Sequence, residues 1–206
     1  MKSVTIFSIL LSILIISCER PPEYPDAPSI EYKSLSVDSL GNDHSEFTIQ
    51  ILFKDGTGDL GLTQTDTSNV KYQNINKTFK ENGIEYVTFN RFSKNYWLDF
   101  FVKKNGKYVR MTTPDSSKLL KNQSSSFYIN DGAFVPFTEN YKDDKTPIEG
   151  LLKYQFSFDY TYDSINTAYR PIIEPGDSVQ FRVRILDRKL NISNAIYTDK
   201  IVLFRK

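Results

Sequence analysis

The sequence predicts an all-β fold, an immunoglobulin-like antiparallel β-sandwich of about seven to nine strands with long loops. Three observations predict this fold class. Apolar and polar residues alternate with a period of two in several segments, turn signals separate these segments, and no segment sustains the period of about 3.6 residues that marks a helix. Clean alternation is typical of antiparallel sheets that have one face in water.

The clearest alternation lies in three segments, 46–53, 152–160 and 178–186. In the first, Phe47, Ile49 and Ile51 share one face with Phe53, opposite polar residues. In the last, valine, phenylalanine and isoleucine alternate with glutamine and arginine. Weaker patterns predict further strands over 30–37, 84–89, 108–112 and 197–204.

Segment 96–102 is apolar on both faces and therefore predicts a central strand of a sheet. It leads into Asn105-Gly106, a strong two-residue hairpin signal because both residues tolerate positive φ. Pro175-Gly176-Asp177 predicts a turn before the strand that begins near residue 178. Two long polar stretches, 61–82 and 113–146, interrupt the pattern. We interpret the body, residues 29–206, as one domain with two large excursions.

The N-terminus carries an export signal. Residues 4–16 are nearly all apolar behind a single Lys2, and thirteen residues are too few to span a bilayer, which takes about 20. Residues 1–17 are therefore predicted to be a signal peptide. Ile15-Ile16-Ser17-Cys18 resembles the lipobox of bacterial lipoproteins, which implies that Cys18 becomes the acylated N-terminus and carries acyl chains such as palmitate. The alternative is a secreted protein whose cysteine near the cleavage point is incidental.

Residues 18–28 contain four prolines and predict an extended tether between the lipid anchor and the domain. Polyproline II segments rise about 3.1 Å per residue, so about ten residues would span on the order of 30 Å. Which face of the outer membrane the domain occupies stays open.

Charge and residue counts exclude several kinds of site. Lys2 is the only charged residue among the first 17, so the remaining chain has 25 basic and 25 acidic residues and no net charge. A neutral chain lacks the basic surface that nucleic-acid binding requires. The chain has one cysteine and one histidine, which excludes disulfides, cysteine clusters and any site that needs two imidazoles.

Several motifs together carry a resemblance to a known group of proteins. They are the lipobox, the segment IEYKSLSVDS after the proline-rich leader, FKDGTGDLGL after an early strand, KNGKY, and the closing RVRILDRKLNISNAIYTDKIVL. In this combination the chain resembles an uncharacterised family of Bacteroidota outer-membrane lipoproteins, whose early motif usually reads DGDGDLGL. The resemblance implies an immunoglobulin-like lipoprotein and supplies no activity, cofactor or catalytic residue.

The glycine-rich loop after residue 54 is a candidate calcium site. Calcium takes six to eight oxygen ligands, and Asp55, Asp59 and Asp66 could supply carboxylates, with Thr57 adding a carbonyl or hydroxyl oxygen. Thr57 stands where the family often has an acid. The alternative is a tight turn in which the glycines provide positive φ and the aspartates cap backbone amides.

A second candidate is the loop GAFVPF, in which Phe134, Val135 and Phe137 lie within a polar region. These side chains could contact a partner, or they could pack onto the sandwich. Ser39 and Ser164 follow aspartates in short segments that resemble the acceptor pattern for O-glycosylation in exported Bacteroidota proteins, and both are expected in loops.

No motif indicates catalysis. A serine–histidine–acid triad would have to use His44, which lies in a polar segment and has no G-x-S-x-G elbow with it. We therefore predict a non-enzymatic interaction module or accessory subunit of an outer-membrane complex. The alternatives are a surface glycan-binding lipoprotein, with calcium assisting, and a small hydrolase with a carboxylate pair.

Overall fold

The computed structural model describes residues 22–39, 44–63, 66, 75–112, 119–120, 131–137, 146–159, 171–174 and 176–203. Within these ranges lie eleven β-strands and a short 3-10 helix, Arg91–Ser93. In chain order the strands are β1 (Ser29–Ser39), β2 (His44–Asp55), β3 (Ile75–Glu81), β4 (Ile84–Phe89), β5 (Tyr96–Lys104), β6 (Lys107–Arg110), β7 (Leu119–Leu120), β8 (Ile148–Asp159), β9 (Ser178–Ile185), β10 (Ile196–Tyr197) and β11 (Ile201–Val202).

The predicted antiparallel β-sandwich is confirmed. One sheet has the order β1-β2-β8, and the other has the order β10-β9-β5-β6 with β11 also paired to β9. All these pairings are antiparallel. Neighbouring strands of one sheet can be distant in sequence, since β2 pairs with β8 and β5 pairs with β9, as is common in immunoglobulin-like sandwiches.

The core lies where the predicted apolar faces meet. Phe47 of β2 contacts Phe181 of β9 edge to face, with ring centroids 5.3 Å apart, and it stacks on Phe156 of β8 at 5.1 Å. The alternating residues of β2 and β9 that face inward are all buried. The period of two in the sequence therefore corresponds to the inner and outer faces of the two sheets.

Strand β5 is central, as its apolar composition on both faces predicts. It pairs with β9 on one side and with β6 on the other, and Trp97 on its outer face is only 6% exposed. The turn to β6 is the predicted Asn105-Gly106 hairpin, with φ of 51° and 80°.

The two excursions contain strands that the sequence pattern did not predict. Strand β3 lies within 61–82 and β7 within 113–146, and both pair with β4 in a third sheet of order β3-β4-β7. Neither strand shows a periodic apolar pattern, because β3 is mainly polar (INKTFKE) and β7 has only two residues. The predicted strand over 197–204 is also different, since it consists of the two short strands β10 and β11.

Part of the predicted tether is docked on the sandwich. The Tyr24 hydroxyl donates to Glu149 Oε2 at 2.8 Å, and the Gly56 N–H donates to the Pro25 carbonyl at 3.0 Å. A side chain on Gly56 would clash with the backbone of Tyr24 and Pro25. The segment from residue 24 onward is thus held against the ends of β2 and β8.

Candidate functional site

Three buried carboxylates meet at one end of the sandwich. Asp55 ends β2, Asp59 lies four residues further along the loop, and Asp187 follows β9. One oxygen from each of the three lies within 4.8 Å of the other two. We call these three residues the acidic cluster.

Strand periodicity explains how two of them meet. Asp55 continues the inward face of β2 after Phe53, and Asp187 continues the inward face of β9 after Ile185. Because β2 and β9 face each other across the core, residues at corresponding ends point toward each other. The same alternation could have identified Asp187 from the sequence, as the next inward position after Ile185.

Hydrogen bonds fix the three carboxylates in place. The Asp59 N–H donates to Asp55 Oδ2 at 3.0 Å, and the Thr57 hydroxyl donates to Asp59. Asn191 donates to Asp187 twice, from its backbone N–H and its side-chain amide, both at 2.7 Å. These hydrogen bonds therefore hold the loop in place around the three carboxylates.

The acidic cluster carries excess negative charge in a buried place. Burial, together with the neighbouring carboxylates of Asp59 and Asp187, raises the pKa of Asp55 to about 6. Burial also raises the pKa of Asp187. Lys189 reaches Asp59 at 4.0 Å but is 58% exposed, so it offsets little of this charge. Such a group can retain a proton, or supply part of the oxygen shell of a hard cation.

Of the three acids predicted as calcium ligands, Asp55 and Asp59 belong to the acidic cluster and the third does not. Asp66 lies outside the acidic cluster, where it accepts hydrogen bonds from the backbone N–H and hydroxyl of Thr63 and forms an ion pair with Arg188. Its carboxylate is occupied by this local turn and by the guanidinium. Asp187, distant in sequence, takes the third position in the cluster.

The loop of residues 131–137 lies at the same end. Gly132 and Tyr96 exchange two backbone hydrogen bonds of 2.9 and 3.0 Å. The Asn95 side chain holds Phe134 by accepting from its N–H at 2.9 Å and donating to its carbonyl at 3.0 Å. These four bonds fix the first half of the loop against β5.

The apolar side chains of this loop divide between the two predicted roles. Phe134 packs against the core, and Phe137 stacks on Phe53 with ring centroids 4.8 Å apart while staying 44% exposed. Val135 is 73% exposed. Phe134 therefore packs onto the sandwich, whereas Val135 and one side of Phe137 are exposed enough to contact a partner.

A second charged group covers the outer face of the five-stranded sheet. The outward residues of adjacent strands lie side by side in cross-strand pairs, Trp97 with Arg184, Asp99 with Arg182, and Phe101 with both Gln180 and Arg110. Tyr197 of β10 pairs with Arg182 and is 50% exposed. We call this surface the arginine face; its members are Trp97, Asp99, Phe101, Arg110, Gln180, Arg182, Arg184 and Tyr197.

Asp99 is the centre of the arginine face. Its side chain is 2% exposed, and Arg182 directs two N–H groups onto its Oδ2 at 3.0 and 2.8 Å. Arg110 approaches Oδ1 at 2.6 Å and Arg184 approaches Oδ2 at 3.6 Å. Burial by itself would raise the pKa of Asp99, but Arg91, Arg182 and Arg110 together hold it below its ordinary value.

Arg91, at one edge of this face, has its own counterion. Its Nε and Nη2 donate to the two oxygens of Asp131 at 2.8 and 3.0 Å, and Asp131 also accepts from the Leu98 N–H. The guanidinium lies 4.7 Å from the Trp97 ring centroid, and that of Arg184 lies 5.2 Å from it. Such cation–π contacts hold the indole in the sheet surface.

Arg91 also lies 3.1 Å from Asp99 Oδ1, so four arginines share two carboxylates, those of Asp99 and Asp131. The contacts to Asp99 Oδ1 have ion-pair distances without hydrogen-bond geometry, and the buried Nε atoms of Arg110 and Arg184 have no acceptor in the described part of the chain. Burial lowers the pKa of Arg184, and repulsion from Arg182, Arg91 and Arg110 lowers it further, although Asp99 opposes this. The arginine face is therefore cationic.

From the sequence alone, Arg182 and Arg184 are only polar positions of a strand, and Asp99 is not identified as a site. The signal for Asp99 is that it is the one acid inside an otherwise aromatic and aliphatic segment, YWLDFFV. A charge in a strand that is apolar on both faces requires a counterion, because burying it alone costs several kcal/mol.

The remaining predicted sites fall at the margins of the described structure. Cys18 and Ser164 lie outside the described residues, as does the predicted signal peptide. Ser39 is the last residue of β1, paired with Ser45, so it belongs to a strand end rather than a loop. Among the residues that the structure describes, no helix combines the length and apolar composition needed to cross a membrane.

Comparison with known proteins identifies no relative. No family model matches the chain, and neither a curated protein nor a solved structure matches it.

Proposed function

We propose that this chain is a lipid-anchored outer-membrane lipoprotein that acts without catalysis, as a protein-interaction module or accessory subunit of an outer-membrane complex. The observation that carries the proposal is the arginine face, which exposes Tyr197 and parts of three arginines on one sheet surface, with Trp97 buried among them. Tryptophan, tyrosine and arginine are the residues most enriched in the energetic centres of protein–protein interfaces.

The position of the arginine face in the fold supports a binding role. Six of its eight side chains project from β5 and β9, each of which is hydrogen-bonded to strands on both sides, and Arg110 and Tyr197 project from the outer strands β6 and β10. Recognition groups on central strands keep their geometry better than groups on loops. A lipid anchor at Cys18 would add a high effective concentration for partners in the same membrane, so the intrinsic affinity need not be high.

The charge of the arginine face indicates the chemistry of the partner. Arg110, Arg182 and Arg184 share Asp99, and each guanidinium offers five N–H donors, so one carboxylate leaves most donors free for water or a ligand. A guanidinium fork matches a carboxylate in shape and charge. The partner would therefore present aspartate or glutamate side chains to this face.

The alternative function is glycan binding, assisted by calcium. Stacking on sugars requires exposed, coplanar aromatic rings, whereas Phe101 and Tyr197 are 6.1 Å apart and tilted by 55°. This geometry favours the protein partner. An acidic glycan nevertheless carries the same carboxylates, so the two sources must be distinguished by experiment.

The test uses the full chain purified in mild detergent and a fluorescein-labelled peptide of ten glutamates. We expect binding by fluorescence anisotropy that weakens as salt rises, because charge pairs at an exposed face are screened. The double variant Arg110→Gln/Arg184→Gln should bind at least about tenfold more weakly, since loss of about 1.4 kcal/mol corresponds to tenfold. The matched control Lys33→Gln/Lys153→Gln removes the same charge from exposed positions on the other sheet and should retain binding.

Co-purification extends the test to natural companions. The natural chain and the lysine control should recover the same membrane proteins, and the arginine variant should lose them. Equal recovery with both variants would contradict a role for the arginine face. Polygalacturonate is an acidic glycan that serves as the competing probe. If it binds more tightly than the peptide and through the same arginines, the result would support the glycan alternative instead.

A further inference from the structure

The docked tether identifies one end of the sandwich as the end nearest the lipid anchor. Tyr24 is bound to Glu149 at the start of β8, and Lys54 near the end of β2 lies over its ring, with Nζ 5.2 Å from the centroid. Pro25 is bound to Gly56 in the loop that follows β2. We call this the tether end of the sandwich.

Two further loops lie at the tether end. The Leu62 N–H donates to the Phe134 carbonyl at 3.0 Å, and Gly61, with φ of 108°, packs so closely against Pro136 that a side chain there would clash with its backbone. Phe137 stacks on Phe53, two residues before the end of β2. The loop of residues 131–137 and the loop that binds the tether are thus parts of one surface.

Chain length limits how far this surface can be from the membrane. Tyr24 lies six positions after Cys18, and an extended chain spans at most about 3.5 Å per residue, which gives roughly 20 Å. The opposite end of the sandwich is further away, because β9 alone covers eight residues, or about 26 Å at 3.3 Å per residue.

The tether end also has the most exposed large apolar side chain among the described residues. Val135 is 73% exposed and neighbours Phe137, which is 44% exposed. The hydrogen bonds from Asn95 to Phe134 hold the loop so that Val135 is directed away from the core. Apolar side chains held at the level of lipid headgroups gain free energy by entering the membrane interface.

We infer that the tether end faces the outer membrane and that Val135 and Phe137 contact its lipid surface. The inference rests on the acylation of Cys18 in the proposed function. Lipid contact would orient the domain, with the arginine face along its side and available to a partner in the same membrane. The loop and the acyl chains would then act together, because two weak membrane contacts joined by a short tether reinforce each other.

The test uses the full-length lipoprotein in vesicles of phosphatidylethanolamine and phosphatidylglycerol. Cys18 is the only cysteine, and acylation of its sulfur leaves no free thiol, so a cysteine introduced by Val135→Cys can be labelled selectively with an environment-sensitive fluorophore. The first control, Val202→Cys, is also an exposed valine, but it pairs with Ser178 at the opposite end of β9. The second control, Tyr197→Cys, reports on the arginine face.

We expect the label at position 135 to shift its emission to the blue and to be quenched several-fold more by doxyl-labelled lipids than the labels at 197 and 202. Gly56→Ala, which should displace the docked tether, is expected to reduce this quenching in folded protein. No quenching at 135, or equal quenching at all three positions, would overturn the inference. Quenching at 197 alone would indicate that the arginine face lies on lipid.

Labelling of the natural chain separates this inference from its premise. An acylated Cys18 takes up no thiol label, so the natural chain should remain unlabelled. Uptake of label would refute the lipid anchor and with it the proposed membrane location. An unlabelled natural chain without quenching at 135 would refute only the lipid contact.

Discussion

The acidic cluster and the arginine face both place an excess of one charge on the sandwich, but they do so in opposite environments. The acidic cluster has three buried carboxylates at the end of the core. The arginine face has three arginines around Asp99, with guanidinium side chains that are 24–37% exposed. Excess charge in the core must be neutralised internally, whereas excess charge at a sheet surface stays available to a partner.

This difference gives the two groups different consequences for stability. In the arginine face, the buried member is the counterion, so the network depends on Asp99. In the acidic cluster, the buried carboxylates repel one another, so removing one of their charges should raise the free energy of unfolding. Substitutions that are similar in chemistry should therefore have opposite signs.

The largest expected effect is that of Asp99→Asn. The change removes the charge that Arg91, Arg110, Arg182 and Arg184 share, and breaking a buried ion pair on one side costs about 3–5 kcal/mol of the free energy of unfolding. Urea denaturation at neutral pH measures this loss. The control Glu31→Gln removes an exposed carboxylate and should change stability by less than about 0.5 kcal/mol. Similar effects of both substitutions would show that the arginines do not depend on Asp99.

The opposite sign is expected for Asp55→Asn, which should stabilise the protein at pH 7.5 by about 1–2 kcal/mol. The folded pKa of Asp55 is about 6, above its ordinary value of 3.8, so the folded state holds this proton more tightly than the unfolded state. Its stabilising contribution is complete below about pH 4 and is lost as the pH rises through 6.

The pH dependence provides the control for this prediction. The difference in unfolding free energy between the variant and the natural chain should be largest above pH 7 and should disappear toward pH 4. The asparagine oxygen can still accept the hydrogen bond from the Asp59 N–H, so the geometry is retained. A difference that does not change with pH would exclude repulsion among the three carboxylates as its cause.

A smaller effect is expected from calcium, for which the sequence makes this loop a candidate site. At ten times its dissociation constant, a ligand that binds only the folded state adds about 1.4 kcal/mol. We expect a calcium-dependent rise in melting temperature for the natural chain and for Asp66→Asn, because Asp66 lies outside the acidic cluster. The double variant Asp55→Asn/Asp59→Asn should lose the rise, and absence of a rise in the natural chain would refute calcium binding.

The smallest effect should follow from Lys189→Gln. Lys189 lies 4.0 Å from Asp59 but is 58% exposed, so water screens the pair and its loss should cost less than about 0.5 kcal/mol. Thermal unfolding at low salt is the sensitive measurement. A loss above 1 kcal/mol would mean that Lys189 is the counterion of the acidic cluster, and the predicted response to calcium would then need revision.

The strands of the sandwich were largely predictable because their alternation is a local property. Segments 46–53, 96–102 and 178–186 correspond to β2, β5 and β9. Strands β3 and β7 were not predictable in this way, since they are polar or very short and exist through pairing with β4. Strand β3 is joined to β4 by the two-residue turn Asn82-Gly83, with φ of 51° and 79°. Strand β7 pairs with β4 from a distance in sequence, and such pairing leaves no periodic pattern in either segment.

For the candidate site, the sequence by itself determined where apolar and polar residues alternate and which positions share a face of a strand. It brought Asp55 and Asp59 into one loop and placed Trp97 on a strand that is apolar on both faces. Only the tertiary structure decided that Asp187 replaces Asp66 in the acidic cluster and that arginines from β6 and β9 surround Asp99. The physical reason is that a period of two fixes the face of a side chain but not its neighbour, and neighbours across sheets are set by packing of the whole core.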